Sequence, residues 1–159
     1  MQTKRGFGLV EIIIASAVIS VSMVSLAFVL VLSARVTERA GNRLRANFLT
    51  EETLETLRFL RDTSWSSNFS GLTPGITYYP SFNNSTFLWS IVAINPGLVD
   101  NLFSQRFSAA SVMRSANDDI ISAGGTVDAD TLKITASTTW DHATNWVEAE
   151  TYLSDIFDK

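Results

Sequence analysis

The sequence predicts an α+β chain in which one long N-terminal helix, membrane-crossing at first and amphipathic later, packs on a C-terminal antiparallel β-sheet head. Three observations carry this expectation. Residues 12–34 contain no charged residue and no proline. Residues 35–61 continue with strong helix formers, again without proline. From Phe87 onward the apolar positions alternate with a period of two, the period of a strand. The whole chain has 159 residues, a length that suits one domain.

The apolar span comes first. About 20 residues carry a helix across a bilayer core, and 23 are present here. Outside that segment the chain is still long enough to bury one modest core. The helix extension over residues 35–61 has one weak point, Gly41-Asn42. On a helical wheel Ala40, Leu44, Phe48 and Phe59 fall on one side, and Leu49, Leu57 and Leu60 roughly opposite. A helix with two apolar sides has two partners: its own head, and a neighbouring subunit. An unbroken helix from Phe7 to Arg61 would be about 80 Å long at 1.5 Å per residue, more than a small globular domain requires.

Thr63 to Thr86 is rich in Ser, Thr, Asn, Gly and Pro and reads as a long loop with turns. Its aromatics Trp65, Phe69, Tyr78, Tyr79 and Phe82 suggest that it packs down. Alternation then predicts strands over Phe87–Ile94, Thr131–Trp140 and Trp146–Leu153, with a weaker one near Ser104–Arg114. Asp141–Asn145 reads as a hairpin turn between the last two. The expected division is residues 1–6 as a leader, 7–34 as a transmembrane helix, 35–61 as an amphipathic extension and 62–159 as the β-rich head.

Charge follows the same division. Formal net charge is −4. Residues 35–61 carry six Arg against four Glu, whereas residues 62–159 carry four basic and eleven acidic groups. So acidic a head argues against nucleic acid as its partner, because phosphate contacts need clustered Lys and Arg. There is no cysteine, which excludes disulfides, thiolate catalysis, Cys-type zinc sites and lipoprotein acylation.

The informative stretch is Lys4-Arg5-Gly6-Phe7-Gly8-Leu9-Val10-Glu11-Ile12-Ile13-Ile14. A short basic leader ends in glycine, and a single carboxylate lies just inside the apolar span. This resembles the class III signal of type IV prepilins and type II secretion pseudopilins. The resemblance is specific over residues 4–34 and weaker beyond. The remainder looks like a minor pilin in its helix-then-sheet order and its final Thr-Trp strand and hairpin. The resemblance implies cleavage after Gly6 by prepilin peptidase, methylation of the new amine on Phe7, and Glu11 as an assembly contact inside the membrane. It implies as partners other pilin or pseudopilin subunits, the peptidase, a pilus assembly platform and the lipid bilayer. It implies a location in the cytoplasmic (inner) membrane with the head outside, and then in a pilus or pseudopilus. It implies no enzymatic activity and no cofactor.

Physical chemistry gives each motif residue a reason. Glycine lets an extended backbone approach a protease without a Cβ clash. Lys4 and Arg5 hold their end at the cytoplasmic face. A carboxylate in a membrane span costs a few kcal/mol on insertion scales, so Glu11 needs a partner. The amine freed at Phe7 is the obvious one, either one turn away in the same chain or on an adjacent subunit. The family uses the second arrangement to set assembly register. Two features depart from the pattern. Gly8 stands where Thr or Ser is common, and the membrane helix lacks the Gly or Pro that lets many pilin helices melt locally.

Other readings are weaker. An ordinary signal anchor has a basic start and an apolar span but no reason for Gly6-Phe7 together with Glu11. A cleaved signal peptide has a core of about 7–15 residues, shorter than this span. A Lys/Arg count alone would put the head in the cytoplasm, since Arg35, Arg39, Arg43 and Arg45 follow the span; cleavage on the cytoplasmic face requires the opposite. A membrane-tethered, adhesin-like module that never polymerises is the alternative function. His142, the only histidine, sits beside Asp141 in an expected turn with no nucleophile motif. Asp118, Asp119, Asp128 and Asp130 offer oxygen ligands, but not at the spacing of a calcium loop, so no metal site is assigned. The four tryptophans, 65, 89, 140 and 146, are expected in the core of the head.

Overall fold

A computed structural model of the protein describes residues 8–156. The chain divides into two compact units, Met1–Asn42 and Arg43–Lys159. Helix α1 (Leu9–Thr63) passes from the first into the second without a break, so Gly41-Asn42 does not interrupt it.

In the first unit the described residues after Gly8 are helix alone. The large apolar side chains from Leu9 to Val36 are all more than half exposed. Four serines are satisfied within the helix: the hydroxyls of Ser16, Ser20, Ser22 and Ser25 donate to the carbonyls of Ile13, Ser16, Val18 and Val21 at 2.7–2.9 Å. Hydrocarbon offers no water to hydrogen-bond such groups, so internal satisfaction is what a membrane span needs.

The second unit holds the rest of α1, a single-turn helix α2 (Trp65–Asn68) and six strands. These are β1 (Thr77–Asn83), β2 (Leu88–Val92), β3 (Ser104–Arg114), β4 (Ile120–Ile121), β5 (Thr126–Trp140) and β6 (Asn145–Ser154). The sheet order is β2-β1-β3-β5-β6, with β4 on β3, and every pairing is antiparallel. One long helix on one antiparallel sheet is the predicted α+β, type IV pilin-like architecture.

The helix meets the sheet along a stripe spaced three or four residues apart: Ala46, Thr50, Thr53, Leu57 and Leu60, with Leu54 and Thr56 at its flanks. It packs against Phe107, Ala109, Ile134, Ala136 and Leu153. Each large apolar side chain removed from water here contributes about 1.5–3 kcal/mol. Small residues let the helix lie close, and their hydroxyls are accommodated: Thr50 Oγ1 donates to the Ala46 carbonyl at 2.9 Å and lies 2.9 Å from Thr138 Oγ1. A second cluster joins Ala46, Phe103 and Trp140, with the two rings 6.2 Å apart. The Arg45 guanidinium sits 5.8 Å above the Phe103 ring and pairs with Asp100.

Four expectations need correction. The segment Thr63–Thr86 is not all loop, since it contains α2 and β1. Pro80 in mid-strand hid β1, because proline cannot donate to a ladder. Here β1 pairs with β3 only at Thr77 and Tyr78 and then continues beside β2 alone, so at Pro80 it is an edge on its other side. The last two strands also start earlier than read, β5 at Thr126 and β6 at Asn145. The register of β3 on β5 shifts between Ser111 and Val112, and that irregularity breaks the alternation. Gly124-Gly125 lies in the turn between β4 and β5. A Cβ on Gly125 would fall 2.2 Å from the Arg114 carbonyl oxygen, so only glycine fits. Finally, Trp140 is buried, and Trp65 and Trp89 pack half-buried on the core, but Trp146 is 63% exposed. Val147, its neighbour in β6, takes the inward side.

Candidate processing and assembly site

The first turn of α1 is built by two residues. Gly8 precedes the helix, and its carbonyl accepts from the N–H groups of Glu11 and Ile12 at 3.0 and 3.3 Å. The Glu11 side chain reaches back, and its Oε2 accepts from the Gly8 N–H at 3.2 Å. This is half of a capping box, with Gly8 as the N-cap and Glu11 three residues on. A serine or threonine at position 8 would supply the other half. The carboxylate also sits where the helix dipole favours negative charge. Sequence reasoning placed Glu11 as a partner for an amine and missed this capping role, although the spacing from Gly8 to Glu11 was visible. Lys4, Arg5, Gly6 and Phe7 lie outside the described residues.

Past the apolar span, α1 presents the two sides expected from the sequence. Leu57 and Leu60 are buried and Leu49 is half-buried against the sheet. On the far side Leu44, Phe48 and Phe59 are each more than half exposed. They do not form one continuous stripe, because Glu51, Glu52 and Glu55 occupy the turns between Phe48 and Phe59.

Elsewhere in the head, the acidic set already has its cation. Arg114 Nε donates to Asp128 Oδ2 at 2.5 Å, Nη1 donates to the Asp118 carbonyl at 3.0 Å, and Nη2 donates to Thr131 Oγ1 at 3.3 Å. The hydrogen bond from Arg114, with a second from Thr131, holds the Asp128 carboxyl below its ordinary range. A carboxyl with a lowered folded-state pKa stabilises the fold above its unfolded pKa, and that contribution disappears as pH falls through the lowered value. Asp128→Asn should therefore lower the melting temperature of the full chain in detergent at pH 7 and flatten its further decline towards pH 3. Parallel melting curves for the two proteins would show that this pair does not support the head.

His142 lies in the exposed β5–β6 turn, where Asp141, His142 and Ala143 all have left-handed φ of 54–63°. Among the described residues no group of three His, Asp or Glu side chains could hold a metal ion.

An exposed apolar helix, opened by glycine and one carboxylate and continued onto an antiparallel sheet, is type IV pilin-like in architecture. Residues 1–27 match the family described as the prokaryotic N-terminal methylation motif. The chain thus carries a prepilin-type class III signal, which supports a type IV pilin-like precursor processed by prepilin peptidase. No curated protein and no solved structure matches the chain. The signal and a helix long and apolar enough to cross a membrane fit anchoring in the inner membrane.

Proposed function

We propose that the protein is a structural subunit, a minor pilin or pseudopilin, of a type IV pilus or type II secretion-like filament. Prepilin peptidase cuts the precursor after Gly6, and the new amine on Phe7 is methylated. The head faces outward, and the mature chain leaves the inner membrane by packing with other pilin subunits on an assembly platform. The observation that carries this reading is the methylation motif leading directly into a helix whose apolar surface no part of the first unit covers. Such a surface needs lipid before assembly and neighbouring helices after it. The exposed Leu44 and Phe48 supply a further contact of the same kind beyond the span. The role is mechanical and calls for no catalytic group.

The mature chain is expected to begin at Phe7 with a methylated amine, which removes Lys4 and Arg5 and takes the formal charge from −4 to −6. Intact-mass measurement on membrane or filament material tests this. Recovery of uncut chain alone, with a competent peptidase present, would refute it.

A further inference from the structure

We propose that strand β2 is a self-association edge: Leu88–Val92 of one copy pairs antiparallel with the same strand of a second copy, extending the sheet across a two-fold axis. β2 ends the sheet and pairs only with β1. No other backbone segment among the described residues bonds to its second edge. An edge with unpaired N–H and C=O groups is a template for another strand unless charge, proline or cover blunts it.

The two edges of this sheet differ in that respect. β6 carries exposed Glu148 and Glu150. β2 carries no charge, and neither does any residue from Thr63 to Val99, 37 in all. The head as a whole has seven more acidic than basic residues, so two copies repel through most of their surfaces. The charge-free face is where they can meet. That selects a second copy as occupant over a basic partner, which the acidic surfaces elsewhere would draw away.

The strand is also self-complementary, as a two-fold contact requires. Centred on Ser90, antiparallel pairing sets Leu88 opposite Val92, Trp89 opposite Ile91 and Ser90 opposite itself. Aromatic and β-branched residues facing one another are favourable cross-strand pairs. Apolar side chains flank the edge in the open: Phe87 is 76% exposed, Leu88 62% and Ile94 82%. Phe87 is held outward with φ of 56°, a conformation that is uncommon for a bulky residue. Its ring meets Phe82 at 6.4 Å, and Phe82 meets Trp89 at 5.1 Å, so the flanking patch is a connected aromatic surface. The pairing is short, five residues a side, and is suited to chains concentrated by a membrane or filament.

The native chain has no cysteine, so a single introduced thiol reports the contact. Ser90 is exposed on the strand, and Ser90→Cys preserves its shape. Residues directly opposite in antiparallel strands have Cβ atoms about 4.5–5.5 Å apart, near disulfide range. Full-length Ser90→Cys in detergent, under mild oxidation, is expected to form a covalent dimer on the order of tenfold faster than Asn145→Cys, an exposed thiol at the other edge. Adding Leu88→Lys, which places two new positive charges near the axis, should abolish that excess. Equal rates for the two single-cysteine chains would overturn the proposal. So would preferential cross-linking of Ser90→Cys to Asn145→Cys in a mixture, which would mean that β2 meets β6. The measurement needs no filament, so its failure would leave the proposed assembly role standing.

Discussion

Glu11→Ala is expected to insert and be cleaved normally, yet to enter filaments on the order of tenfold less than wild type, or worse. Removing the charge makes the span more apolar, so insertion becomes easier by the few kcal/mol that the carboxylate cost. The proposed cleavage site after Gly6 is four residues upstream and should still be cut. The assembled state bears the loss. Inside a packed helical bundle in lipid, the amine at Phe7 would be a buried charge without a partner, a defect of about 3–5 kcal/mol. In the membrane before assembly, the same amine can reach the interface and water.

Glu11→Gln separates this effect from helix capping. Glutamine still offers an oxygen to the Gly8 N–H, which Glu11 accepts in the structure, but it cannot neutralise an amine. It should therefore restore the first turn and still fail in assembly. The measurement is the ratio of sheared-filament to membrane-bound chain for wild type and both variants, with cleavage checked by mass. Wild-type incorporation of cleaved Glu11→Ala would remove Glu11 from the assembly account. Rescue by Glu11→Gln would show that capping, and not charge, is what assembly requires.

The second large effect belongs to the tryptophans of the last hairpin. Trp140→Ala should destabilise the head by about 3–5 kcal/mol, the usual cost of deleting a buried large aromatic. Trp140 fills the cluster with Phe103 and Ala46. Trp146→Ala, six positions on and 63% exposed, should cost within about 0.5 kcal/mol, as surface changes do. His142→Ala, in the turn between them, should fall in the same small range. Thermal or denaturant unfolding of the full chain in detergent, followed by far-UV CD, compares the three. Similar losses for Trp140 and Trp146 would place the core on the wrong side of β6.

Much of this architecture was legible because its signals are local. An uninterrupted apolar run needs no partner to be recognised, and neither do the two sides of the helix extension or the Asp141–Asn145 turn. The missed parts depend on partners distant in sequence. Pro80 argues against a strand until it is known that β1 outruns β3 there. The early start of β5 depends on a register shift against β3, which no period within residues 126–130 reveals. Trp146 looks like core by composition, but its face of β6 also carries Glu148 and Glu150, and that alternation, given less weight than the tryptophan itself, is what puts Val147 inside. At the N-terminus the motif residues were readable, but their helical geometry was not. Glu11 was read for its charge alone, whereas its place three residues after Gly8, which precedes the helix, makes it a cap as well.

The threonines under the helix have a mechanical consequence. A chain held by its N-terminal helix and pulled by its head is loaded in shear along the seam between α1 and the sheet. An all-leucine seam could slip by one helical turn and regain similar contacts, because apolar packing is non-directional. This seam cannot slide so cheaply. A shift of one turn would part Thr50 from Thr138 and drive other side chains into spaces shaped for Ala46 and Thr53. A buried hydroxyl left without its partner costs about 1–3 kcal/mol. The Thr50–Thr138 contact therefore fixes the register of the helix on the sheet in a way that leucines alone would not.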